Sequence, residues 1–135
     1  MGANTKSPRH FINMNNNCPF CTPDEPILSN DLAYARFDKY PVNNGHLLII
    51  PFRHVSDFFD LTEEERKAIF NLVDEAKVLL DKKHKPDGYN IGINVGEAAG
   101  QTVWHVHVHV IPRYNGDMND PRGGVRGVIP EKQKY

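Results

Sequence analysis

Three histidines at alternate positions, His105, His107 and His109, are separated by Val106 and Val108 and followed by Val110-Ile111. Side chains of a β-strand alternate between its faces, so this spacing sets the imidazoles in a row on one face and the valines on the other. The β-branched valines favour a strand over a helix, around which the rings would scatter. A neutral imidazole can attack phosphorus without a separate base, which makes the central His107 a candidate nucleophile. Two other readings stand beside this one, a solvated polar face and a metal site. At about 3.3 Å per residue, His105 and His109 lie about 13 Å apart, too far to share one ion bound at about 2.0–2.1 Å. Two neighbouring rings could still chelate with ligands from elsewhere.

The loop entering this row, Asn94 to Thr102, holds Gly96 and Gly100, which permit close backbone approach and could cradle an anion. Gln101 and Thr102 are placed to hydrogen-bond phosphate or leaving-group oxygens. Cys18-Pro19-Phe20-Cys21 supplies half of a tetrahedral zinc site, with His54 and His105 as candidates for the other half. Two ordinary cysteines, or a redox pair, are the competing readings. Asp38 ends an apolar run, where a carboxylate could grip ribose hydroxyls or merely turn the chain. His84, among lysines, suits the negative end of a helix dipole.

Positioning these residues takes a small set of elements. Leu32–Phe37 and His46–Ile50 read as strands, the second closed by Pro51 and the two joined by Asn43-Asn44-Gly45 turn chemistry. Thr62 and Glu65 form a capping box that opens a helix over Glu63–Lys83. Its stripe of Ile69, Leu72, Val73, Ala76, Leu79 and Leu80 marks one buried face. Tyr89–Val95 alternates as a strand, and the histidine strand is predicted to start near Val103. Strands, one long helix, then further strands imply an α+β fold with the helix on one face of an antiparallel sheet. Residues 1–17 read as a flexible leader with at most an apolar anchor at Phe11-Ile12, residues 18–116 as one domain, and 117–135 as an irregular extension, a solvated tail being as good a reading as one that reaches the active site through Arg122 or Arg126. His10 carries no readable signal.

The chain has 135 residues, 39% hydrophobic and 24% charged, with 16 basic against 17 acidic side chains and a formal net charge of −1. That balance gives no reason to expect binding to nucleic acid or to anionic membranes. Without a long apolar run or a signal-type N-terminus, a cytoplasmic protein is expected.

Together these residues resemble the histidine triad (HIT) family, whose pattern His-φ-His-φ-His-φ-φ, with φ apolar, is complete from His105 to Ile111. Asp38 before Gly45-His46, the Gly100-Gln101-Thr102 lead-in and Pro112-Arg113 match as well, over Cys18 to Gly116. Glu97–Val103 and His109–Arg113 look like the Fhit-type dinucleoside polyphosphate hydrolases, and the Cys-x-x-Cys looks like bacterial HIT hydrolases. Asp38 is similar to the Hint-type branch, since Fhit-type proteins usually carry Asn there.

The resemblance implies a HIT-like fold, an antiparallel sheet of about five strands with one long helix packed on a face. It implies a hydrolase acting on dinucleoside polyphosphates such as diadenosine tri- or tetraphosphate. In it, Nε2 of His107 would attack the α-phosphorus and form a nucleotidyl-histidine, which water then hydrolyses. His109, Asn94 and Thr102 would stabilise the phosphate oxygens, and Gln101 would sit near the bridging oxygen. His46 would support the row and Asp38 would bind ribose. Structural zinc would be held by Cys18, Cys21, His54 and His105, and Mg²⁺ would accompany the substrate. A homodimer is implied too. The alternatives are a Hint-type nucleoside phosphoramidase and a zinc-stabilised nucleotide-binding sensor with little turnover.

Overall fold

Alternating apolar residues build the sheet. A computed structural model describes residues 17–135, so all but the last residue of the expected leader, with His10 and Phe11-Ile12, lies outside the described residues. The strands are β1 (Leu28–Ser29), β2 (Ala33–Phe37), β3 (Leu47–Pro51), β4 (Gly88–Ile93) and β5 (Val108–Arg113). They pair antiparallel in the order β1-β2-β3-β5-β4. This is the five-stranded α+β sheet expected from the sequence.

One face of the sheet is apolar throughout. Ala33 and Ala35 of β2, Leu47 and Ile49 of β3, and Val108 and Val110 of β5 pack against helix α1 (Glu63–Lys83). From α1 come Ile69, Leu72, Ala76 and Leu80, all buried, while Val73 and Leu79 are partly buried at the margin. The helix starts where its sequence says it should. Thr62 Oγ1 accepts from the Glu65 N–H at 3.0 Å, and Glu65 Oε1 accepts from the Thr62 N–H at 2.9 Å. Arg53 then clamps the same carboxylate through Nε and Nη2 at 2.9 and 2.8 Å. Burial would raise the Glu65 carboxyl, but Arg53 and the Thr62 backbone outweigh it and hold it below its ordinary range.

The opposite face carries the polar row. Cross-strand pairing aligns Arg36 of β2 with Leu48 of β3, Leu48 with His109 of β5, and His109 with Gly92 of β4. Tyr34, Leu48 and Ile50 from this face pack with Phe20 and Cys21, which fold back over it.

The histidine strand begins later than expected, at Val108 instead of near Val103. The β3–β5 register, extended by two residues, would set Val106 against Pro51, which has no N–H to give the ladder. The Val106 N–H donates instead to the Val55 carbonyl at 2.8 Å. The alternation survives the loss of pairing, since Val106, Val108 and Val110 all enter the core. Strand β1 was not anticipated in the proline-rich stretch. The tail forms short 3₁₀ turns at Gly124–Val128 and Pro130–Lys132, the first of them against β4.

Candidate functional site

A cavity of about 500 Å³ opens on the polar face, with His107 and His109 in its wall together with Asn94 and Thr102. Asp38, just beyond β2, lines it as well. The Asp38 N–H donates to the His46 carbonyl, and its Oδ1 accepts from the Tyr40 N–H, both at 2.9 Å. The turn that returns the chain to β3 thus fixes the carboxylate.

Backbone partners set the proton positions of four imidazoles, because a carbonyl can only accept and an N–H can only donate. His107 Nδ1 lies 2.9 Å from the His105 carbonyl, so Nδ1 carries the proton and Nε2 keeps its lone pair. His105 Nε2 lies 2.8 Å from the Pro51 carbonyl, so its Nδ1 is the free base. His46 Nδ1 accepts from the Val42 N–H at 3.0 Å, which leaves the proton on Nε2. That Nε2–H donates to His109 Nδ1 at 2.9 Å, so His109 carries its own proton on Nε2. At the cavity the row thus presents one lone pair, on His107, beside one donor, on His109. Their ring centroids are 5.1 Å apart.

Burial lowers all four imidazoles from their ordinary value. It pushes His109 down to about 4, helped by the neighbouring His107 and His46 rings. Burial likewise lowers His46 and His107, against the opposing pull of Asp38. A neutral row is what a nucleophile-and-donor arrangement needs near pH 7. Phe20 caps it edge-on, 5.0 Å from the His107 ring.

The free base of His105 points away from this cavity. Its Nδ1 lies 3.3 Å from Cys18 Sγ and 3.6 Å from Cys21 Sγ, and His54 Nδ1 lies 3.1 Å from Cys21 Sγ. All four ligand atoms fall within 4.8 Å of one another. A tetrahedral zinc with bonds of about 2.0–2.3 Å has ligand–ligand edges of roughly 3.3–3.8 Å, and the three close contacts of 3.1, 3.3 and 3.6 Å come within about 0.2 Å of that range. The Pro51 carbonyl on His105 Nε2–H supplies the outer hydrogen bond that orients such a ligand. Burial, then Cys18, pushes the Cys21 thiol up to about 12. A low-pKa redox thiolate is the opposite case, whereas a bound cation would draw the proton off.

Two expectations change. Gln101 is only 4% exposed and its amide is engaged in the loop. Its Nε2 donates to the Ser56 and Val103 carbonyls at 2.7 and 3.1 Å, and its Oε1 accepts from the Gly96 N–H at 2.9 Å. It braces the loop and does not line the cavity. The tail does not reach the cavity either. Arg126 is held by the Gln133 and Lys132 carbonyls and lies over the Tyr135 ring, and Arg122 faces Asp120. The sequence reading also passed over Arg36 and Phe20, both in the cavity wall. A lone charge in the apolar run Ala33–Phe37 was the available signal for Arg36.

The arrangement is a neutral histidine row at a cavity, backed by a Cys-His cluster of metal-site geometry. The HIT domain model matches residues 21–116, and the chain belongs to the HIT family. It is 40% identical over 94 residues to the AP-4-A phosphorylase of Mycobacterium tuberculosis, a match covering 69% of this chain and 48% of that protein. It thus spans about half that relative's length. A Zn-bound histidine triad family protein from Mycobacterium smegmatis superposes with a TM-score of 0.69 at 34% identity, covering 78% of this chain and 81% of that one. The Plasmodium falciparum diadenosine triphosphate hydrolase, solved with cyclomarin A, superposes with a TM-score of 0.66 at 29% identity, covering 71% and 65%.

Proposed function

We propose that the chain is a nucleotide hydrolase that cleaves dinucleoside polyphosphates at the α-phosphate through a nucleotidyl-histidine on His107. The observation that carries this is the His107 Nδ1–H bond to the His105 carbonyl, which leaves Nε2 as the free base at the cavity. Relatives named for diadenosine tetraphosphate and diadenosine triphosphate support the substrate class.

In the first step the Nε2 lone pair bonds to the α-phosphorus. The bond from phosphorus to the bridging oxygen breaks, and the leaving nucleotide takes that electron pair. The ring becomes a cation, which the His105 carbonyl at Nδ1–H stabilises. His109 Nε2–H, with Asn94 and Thr102, faces the phosphate oxygens, and Asp38 takes the ribose hydroxyls. In the second step water attacks the same phosphorus, the P–N bond breaks, and its electron pair returns to His107. The products are a nucleoside monophosphate and the second nucleotide. Gln101 acts as a positioning residue for the Gly96–Thr102 loop.

Cys18, Cys21, His54 and His105 fit a zinc ion with all four positions filled by protein, and such an ion would pin the Cys18–Cys21 segment to the end of the row. The site adds no support to Mg²⁺ accompanying the substrate, and the proposal carries none. A homodimer suits the edge position of β4 in the sheet, where Ile91 is exposed beside the tail turn. Sedimentation at the 15.4 kDa of one chain would overturn it. No helix among the described residues is long and apolar enough to cross a membrane.

The test is His107→Ala with diadenosine tri- and tetraphosphate. Activity should fall by at least about 10³-fold, and the nucleotidyl adduct expected by mass spectrometry on the unaltered protein should be lost. Retention of most turnover would sink the nucleophile assignment. Asp38 at the cavity favours a second reading, a nucleoside phosphoramidase. A higher kcat/KM on an adenosine phosphoramidate than on diadenosine polyphosphates would select it.

A further inference from the structure

Resting on the reading of the cavity as a nucleotide site, the part of its wall formed by β2 holds an unexplained cation. Arg36 lies on the polar face of β2, two strands from His109 in the same cross-strand row, hence roughly 10 Å away at the usual strand spacing. It is 5% exposed, lines the cavity, and its Nε has no hydrogen-bond partner among the described residues. Its Cζ lies 5.8 Å from the centroid of the Phe20 ring. Removing a guanidinium from water without giving it acceptors is costly, so the feature calls for a ligand that brings them.

Asp24 lines the same end. One of its oxygens accepts from Lys39 Nζ at 2.9 Å. Lys39 first, and Arg36 to a smaller degree, hold its carboxyl below the ordinary value. Lys39 lines the same end and is paired with Asp24, which leaves the Arg36 guanidinium beside apolar Leu48 and Phe20, so this end suits a flat group with acceptors for the guanidinium and donors for the carboxylate. With phosphate at His107 and ribose at Asp38, the group that arrives here is the base. Leu48, between Arg36 and His109 in the row, supplies an apolar floor, and Phe20 an aromatic wall.

Guanidinium donates only and carboxylate accepts only. Guanine offers the complement, with O6 and N7 acceptors on one edge and N1–H and N2–H₂ donors on the other. Adenine instead turns its N6 amino donor towards the arginine. We propose that Arg36 and Asp24 select guanine nucleotides, Arg36 donating to O6 and N7 and Asp24 accepting from N1–H and N2–H₂.

Calorimetric titration of the full chain with GMP and with AMP tests this without relying on turnover. GMP should bind at least about tenfold more tightly, and Arg36→Leu should cut that ratio below about threefold. Arg36→Lys, which keeps the charge and loses the planar fork, should also lower it. Asp24→Asn, at an exposed position, should weaken GMP more than AMP. Hydrolysis of diguanosine tetraphosphate should exceed that of diadenosine tetraphosphate in the same order. Equal or tighter binding of AMP by the unaltered protein overturns the base assignment and leaves the hydrolase reading standing. Binding of neither nucleotide overturns both. The unaltered ratio needs no variant, so a failure of Arg36→Leu to fold does not rescue the proposal.

Discussion

His109 shows how far one proton can be traced by hydrogen bonds alone. The Val42 N–H fixes His46, His46 fixes His109, and a donor results at the cavity. That relay works only while both rings are neutral. Burial, then His107 and His46, hold His109 down to about 4, well below an unfolded histidine near 6.5. Between those values the unfolded chain binds more protons than the folded one, so acidification favours unfolding. The melting temperature should therefore drop as pH falls from about 6.5 towards about 4, and His109→Asn should make that slope shallower. A slope unchanged by the substitution would show that His109 is not the buried neutral ring described. His46→Phe removes the donor to His109 and should lower kcat by about tenfold to a hundredfold, less than loss of a direct donor. Unchanged kcat would remove His46 from the relay.

Elements were legible in proportion to their periodicity. Helix α1 carried a capping box, a stripe and lysines at its end, and it occupies the expected span of Glu63–Lys83. Strand β1 has two residues, too few for any period to show. The start of β5 was hidden because it depends on Pro51, a residue of another strand. At the site, the alternation of His105 to His109 was readable because a single backbone parity produces it. The Gln101 contacts were not, since Ser56 comes from a distant part of the chain. Arg36 was passed over because its meaning lies in Phe20 and Asp24 across the fold. The Asn43–Gly45 turn was legible too, and Gly45 tests it. Its φ of +89° lies in the left-handed region, and a Cβ there would meet His84 Cδ2 at 2.9 Å and Leu80 Cδ2 at 3.1 Å. Gly45→Ala should cost about 1–3 kcal/mol in denaturant titration and lower activity through the adjacent His46. Unaltered stability would mean that the turn is looser than described.

At the scale of the molecule, helix and sheet hold one face while the Cys18–Cys21 segment is packed on the other. The cysteines and His54 reach the row only through His105, so zinc would tie that segment to the sheet. Purified protein should contain about one zinc per chain, and Cys18→Ser should drop it below half while lowering the melting temperature. Chelator should destabilise the unaltered protein to a similar extent and leave Cys18→Ser unmoved. Metal-free protein that melts unchanged in chelator would discard the structural ion. Because the His105 carbonyl also fixes the His107 tautomer, loss of metal should lower kcat more than it raises KM.

The alternation of valine and histidine has a further consequence for how this segment tolerates change in length. Between His105 and Val110 the chain encodes a phase: the valines seat one parity in hydrocarbon, and the imidazoles inherit the other. A loop absorbs an inserted residue by bulging, but a single insertion or deletion here would exchange the two sets. Imidazoles would be driven under α1 and valines into the cavity, with packing and chemistry lost in one event. Substitutions at His107 test the proposed nucleophile alone, whereas frame-preserving insertions and deletions along 105–110 sample a two-letter code in which spacing is itself that nucleophile's address.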